Sequence, residues 1–154
     1  MAVKWYGAKI LAEVHAKAEA KMSIGAQMIA THAKNSMREP KHGKPGPQTQ
    51  RSAPGEPPAA QHGGAGLQGD ITWEKPMPLV RRVGTNMKVG LWMELGTRAH
   101  FIRRRKAKAL HFVGAGGEDV FVRNVHHPGT LPRPFLRPAM DACRDRIRAL
   151  FGRP

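Results

Sequence analysis

The chain has 154 residues, 40 % of them hydrophobic, with 26 Lys and Arg against 11 Asp and Glu and a formal net charge of +15. That length suits one domain with one modest core, and the charge predicts an anionic neighbour, whether nucleic acid, a membrane surface or an acidic protein face. The single cysteine, Cys143, excludes an internal disulfide and the zinc frameworks that need several cysteines.

The N-terminal stretch carries charges throughout and has no uninterrupted apolar core, so it does not read as a signal peptide. No run approaches the ~20 apolar residues of a membrane span. The expectation is a protein made and folded in a cytoplasm, with no membrane partner.

Positions 4–36 predict a long first helix. Leu11, Val14, Ala18, Met22, Gly25 and Ile29 recur at helical spacing, alanine is abundant and proline is absent. Lys9, Glu13, Lys17 and Glu19 belong to the wet face, and the small residues Ser23 and Gly25 would admit a close neighbour. Positions 37–66 differ in kind, with six prolines and six glycines among thirty residues and no large aliphatic after Met37. Such a segment cannot build a core. It predicts an extended or flexible loop, whose full reach of ~100 Å would let it lie along a neighbouring subunit.

Positions 67–84 predict two antiparallel strands. Leu67, Gly69, Ile71 and Trp73 alternate with polar residues, KPMP breaks the chain, and LVRRVGT resumes an extended pattern. Positions 87–97 are apolar without a clean period and predict a short helical turn stopped by Gly96. Glu94, set among Leu91, Trp92, Met93 and Leu95, is expected to be structural. Its carboxylate would accept backbone N–H groups around Gly96 and Thr97. Within 98–125, ALHFV and DVFVRNV predict strands joined by a GAGGE turn. A dinucleotide loop is refused there, because such a loop must open a helix.

Residues 126–138, HHPGTLPRPFLRP, predict a stiff arm, since each proline fixes φ and removes a donor. His126 and His127, adjacent in an extended chain, should point opposite ways. Phe135 and Leu136 would anchor the arm at the core edge. It serves either as a rigid lead held in the domain's own groove or as a bracket between subunits. Positions 135–151 predict the closing helix, with Leu136, Met140, Cys143, Ile147 and Leu150 on one face. Pro138 lies in its first turn, and Arg144, Arg146 and Arg148 lie near its C-terminus. The expected architecture is α+β. The long N-terminal helix and the C-terminal helix pack on a small antiparallel sheet, in a single domain over 1–154 with a Pro/Gly-rich loop.

No catalytic, cofactor or metal constellation is visible. The histidines are scattered, serine is scarce, and Asp70, Glu74 and Glu94 would have to be gathered by the fold. The basic run is the clearest chemical feature: Arg98, Arg103, Arg104, Arg105, Lys106 and Lys108 place six positive charges in eleven residues without an acid. Arg103, Arg104, Arg105, Lys106 and Lys108 are therefore candidates for contact with DNA or an acidic partner, against the plainer reading of a solvated turn. On charge alone, a basic nucleic-acid-binding accessory protein is one reading.

Three stretches occur in order that point elsewhere: SAPGEPPAAQHGGAGLQGDITWE (52–74), VGTNMKVGLWMELGT (83–97) and HHPGTLPRPFLRPAMDA (126–142). Together they resemble the gene-product-ten-like family of neck and tail-completion proteins of long-tailed bacteriophages. Departures from that pattern are Val89-Gly90, where the family has Tyr-Ala, and a blurred Thr-Gly-x-Leu at 62–67. The resemblance implies a structural virion protein at the head–tail junction or upper tail, made in the host bacterial cytoplasm and without enzymatic activity. It implies a homo-oligomeric ring of six or twelve copies around the DNA channel. Neighbouring neck, connector or tail-tube proteins would be its partners, with phage DNA in transit. The candidate subunit-interface residues are Pro54, Glu56 and Pro57 in the loop and Pro128, Pro132, Pro134, Phe135, Leu136 and Pro138 in the arm.

Overall fold

The computed structural model describes residues 6–38, 52–59, 66–114 and 116–152. Its elements are α1 (Gly7–Arg38), α2 (Leu67–Asp70), β1 (Thr72–Glu74), β2 (Arg82–Gly84), α3 (Lys88–Leu95), β3 (His100–Arg103), β4 (Leu110–Val113), β5 (Asp119–Val122), β6 (Asn124–His127) and α4 (Leu136–Leu150). The class is α+β, with long terminal helices and small antiparallel sheets. The strands form three separate two-stranded ribbons, β1–β2, β3–β6 and β4–β5, where one small sheet was expected.

The two long helices pack antiparallel through small residues. Ala26, Ala30 and Ala33 of α1 are buried, Ala139 and Cys143 of α4 face them, and Ile147 packs over Gly25. Small side chains allow the backbones to approach closely, and larger residues fill the ends of the seam. The core joins Ala30, Ala33, Met37, Ile71, Phe135 and Ala139, with Leu67, Trp73, Val83 and Met93 packed around it. Phe135 and Ile71 are fully buried, and Cys143 is a packed thiol at 2 % exposure.

α4, with 15 residues, is about 22 Å long, whereas α1, with 32, is about 48 Å long. α4 reaches Lys21, whose ammonium lies over the Phe151 ring, and ends there. Residues 8–17 of α1 are consequently all exposed. Leu11 and Val14, expected on the buried stripe, are 58 % and 54 % exposed. Met140 also departs from expectation at 50 % exposure, because Ala139 takes the buried position beside α1.

Two further expectations are corrected. The segment 67–70 is a helical turn, not a strand. Gln68, not the alternating set, is buried there, and its amide donates to the Lys34 carbonyl at 2.6 Å. The strand pairing begins at Thr72, with Thr72 opposite Gly84 and Trp73 opposite Val83. Of the loop expected at 37–66, Met37 and Arg38 belong to α1. Residues 52–59 dock on the chain's own arm, and 39–51 and 60–65 lie outside the described residues.

The GAGGE hairpin is present, and it is longer than its sequence suggests. β4 pairs β5 from Leu110↔Val122 to Val113↔Asp119, and below them β3 pairs β6 from His100↔His127 to Arg103↔Asn124. Part of the basic run is therefore a strand. His126 and His127 face opposite sides as expected, His126 against Phe101 and His127 stacked on His100. Among the described residues, no helix is long and apolar enough to cross a membrane.

Candidate functional site

The stretches that stand apart in the sequence converge on one junction. Its centre is Glu94, near the end of α3. Glu94 Oε2 accepts the backbone N–H groups of Phe135 at 2.8 Å and Leu136 at 3.0 Å, and Oε1 accepts that of Arg137 at 3.0 Å. A helix start leaves about four N–H groups without partners. Here Pro138 has none to offer, and Glu94 takes the other three. The N-cap residue Phe135 supplies no side-chain cap of its own. The carboxylate thus replaces it and sets a negative charge at the positive end of the helix dipole. Glu94 was expected to accept backbone N–H groups around Gly96 and Thr97. Its donors lie on α4 instead.

The turn after α3 holds the arm. Thr97 and Thr130 exchange both backbone hydrogen bonds, at 2.9 and 3.1 Å, and Arg133 N–H donates to the Met93 carbonyl at 2.7 Å. Gly96 has φ of 73° and Gly129 has φ of 94°. A Cβ on Gly96 would collide with the Thr130 carbonyl, and one on Gly129 with that of Thr97. Both glycines are therefore required by conformation and by space.

The Ser52–Glu56 turn closes the junction from the other side. Gly55 N–H donates to the Pro132 carbonyl at 2.9 Å, and Arg133 Nε donates to the Ser52 carbonyl at 3.0 Å. Glu56 fixes the turn itself by accepting Ala53 N–H at 3.0 Å. Of the candidate interface residues, Phe135 belongs to the chain's own core, while Glu56, Pro57, Pro134 and Leu136 are partly buried. Pro54, Pro128, Pro132 and Pro138 are exposed.

The other candidate carboxylates do not meet Glu94. Asp70 accepts from the Thr85 hydroxyl and from the N–H groups of Asn86 and Met87, at 2.8 and 3.3 Å, which starts α3. The Thr85 hydrogen bond, followed by those backbone donors, holds the Asp70 carboxyl below its ordinary range against the opposing effect of desolvation. Glu74 pairs with Arg82 on the neighbouring strand. Each acid is committed to a different structural partner. Among the described residues, no group of three or more His, Cys, Asp or Glu is placed to hold a metal ion.

One network was missed by sequence reasoning, which had placed Glu19 on the wet face. Glu19 accepts Leu79 N–H at 2.7 Å, pairs with Arg81 and lies 3.0 Å from the Lys75 ammonium. The Leu79 backbone bond first, then Arg81 and Lys75, pull the Glu19 carboxyl down to about 2. The Arg81 side chain, only 7 % exposed, also reaches Ser23 on α1 and covers the Trp73 ring. This network ties the β1–β2 loop to α1, and Leu79 in that loop takes a positive φ of 56°. No local pattern in the sequence signals it, since its members are about sixty positions apart.

Arg103 ends β3, and Arg104, Arg105, Lys106 and Lys108 form the bulge that follows it; all five are exposed. No family model matches the chain, and no curated protein or solved structure shows significant similarity to it.

Proposed function

We propose that this chain is a structural subunit of a tailed-phage virion, a neck or tail-completion protein that forms a homo-oligomeric ring at the head–tail junction. The observation that carries this reading is the junction itself. The three stretches whose order resembles the gene-product-ten-like family, 52–74, 83–97 and 126–142, meet at it: residues 52–59 of the first touch the third through Gly55 and Pro132 and through Arg133 and Ser52, and the second touches the third through Met93 and Arg133 and through Glu94 and Phe135. The resemblance then concerns one folded unit, not scattered short words. The subunit works without catalysis; its candidate carboxylates serve as caps and ties.

The ring is supported by large apolar side chains that are exposed among the described residues. Ile10, Leu11 and Val14 on the projecting half of α1 are each more than half exposed, as are Phe101 and Phe121 on the hairpin. A heterologous contact that buries such surfaces copy against copy closes a ring of six or twelve. Connector, neck or tail-tube proteins are the neighbours above and below. The test is immunogold labelling of virions from the source lysate with an antibody against the chain. Label at the head–tail junction is expected, and virions that bind none contradict the proposal.

A further inference from the structure

We propose that the β3–β6 hairpin is a contact element for duplex nucleic acid, gripping the phosphate backbone through its basic bulge without reading sequence. This goes beyond the ring reading and does not rest on it.

The hairpin is a single excursion of the chain that carries two successive ribbons. β3–β6 forms its base and β4–β5 its outer part, and the four strands make their main contacts with each other, not with the helices. Between the ribbons the chain bulges on one side only. Residues 104–109 leave the ladder opposite Arg123, and Arg104 N–H donates to the Arg123 carbonyl at 3.2 Å to close the bulge at its base. His100 through Lys108 are all exposed.

Seven cations lie along this arm and its root: Arg98, Arg103, Arg104, Arg105, Lys106, Lys108 and Arg123. None meets a carboxylate among the described residues, whereas Lys75, Arg81, Arg82, Arg144 and Arg148 all do. The arm's acids, Glu118 and Asp119, sit at its far turn, where Asp119 is held by His111 at 2.6 Å. The bulge therefore concentrates like charge with no internal compensation. A polyanion relieves that repulsion and releases its own counterions in doing so.

The character of the surface selects among polyanions. An acidic protein face would need an apolar centre inside the charged patch; within Arg103–Lys108 the one apolar residue is Ala107, and the exposed Phe101 and Ile102 lie at the edge of the bulge, not among its cations. Phosphates require cations alone. Single strands are bound by aromatic faces set among the cations, and Arg103–Lys108 carries no aromatic residue; the nearest ring, Phe101, has His126 against it at 4.8 Å between centroids. A two-stranded ribbon also has the width that the major groove of a duplex admits.

The test is binding of the full chain to a labelled random-sequence duplex of about 30 bp over a series of salt concentrations. Affinity should fall about a thousandfold or more between 50 and 200 mM salt. Replacing Arg104, Arg105, Lys106 and Lys108 by Ala should reduce the slope of log affinity against log salt by about 3–4. Replacing Lys9, Lys17, Lys88 and Arg137 by Ala removes the same charge elsewhere and should change it by less than about 1. The Arg104→Lys, Arg105→Lys variant should keep the wild-type slope. The replaced side chains are exposed, and circular dichroism verifies that each variant is folded. Equal losses in the two alanine variants, or no duplex binding at low salt, overturn the assignment. So does tighter binding of poly-glutamate than of the duplex at equal salt, which would point to an acidic protein face.

Discussion

Glu94 and Phe135 are joined across 41 positions of sequence by a 2.8 Å hydrogen bond, in which the carboxylate of one helix accepts the first backbone N–H of another. Two more N–H groups of α4 converge on the same carboxylate. Replacing Glu94 by Ala leaves all three donors without an acceptor. The loss should be about 2 kcal/mol, a fall in Tm of roughly 5 °C. Glu94→Gln, which keeps one acceptor oxygen but loses the charge, should fall between the two. Urea denaturation of the three proteins gives the order.

The turn beside it makes a second demand. Gly96→Ala places a Cβ against the Thr130 carbonyl at a backbone conformation that L-residues disfavour. A cost of about 1–3 kcal/mol is expected. Because the Thr97–Thr130 pair must open to relieve the clash, amide exchange at those two residues should accelerate more than at the α1–α4 seam.

Acid should weaken the tie between α1 and the β1–β2 loop. Glu19 has a folded value near 2 against an ordinary value of 4.5. A depressed carboxyl stabilises the fold fully above the unfolded value, and that contribution is lost as pH falls through the folded value. The window therefore runs from about 4.5 down to about 2. Asp70, also lowered, acts with the same sign. Thermal melts across this window should show a declining Tm in the wild type and a shallower decline in Glu19→Gln.

Substitutions on the exposed half of α1 should affect the proposed assembly without affecting folding. Ile10, Leu11 and Val14 are 60 %, 58 % and 54 % exposed, so changing all three to Gln should move the monomer's stability by no more than about 0.5 kcal/mol per site. The same triple variant should lose the ring. Denaturation and solution mass, measured on one preparation, report the two effects independently.

Much of this was legible in the sequence where the determinants are local. The 3.6-residue period marked both long helices, Gly96 marked the end of α3, and GAGGE marked the outer hairpin. Where partners are distant, the reading failed in definite ways. Glu94 was recognisable as a structural acceptor among apolar neighbours, but its donors lie on the far side of the hairpin. The alternation of Leu67, Gly69, Ile71 and Trp73 matched a strand, yet burial of Gln68 against Lys34 turned its first half into a helix. β3, HFIR, was hidden because four residues at the edge of a basic run carry no clear strand period, and its pairing depends on residues 124–127. Leu11 and Val14 look like core by spacing; they are exposed because α4 is too short to cover them.

The measurement that bears most directly on the central claim is the mass of the purified protein in solution, at low and high salt, with and without DNA. A discrete species at six or twelve times 16.9 kDa is expected in the absence of DNA, because the contact proposed to close the ring is apolar and needs no polyanion. A species of 16.9 kDa at every salt and protein concentration, larger only when DNA is added, would contradict it.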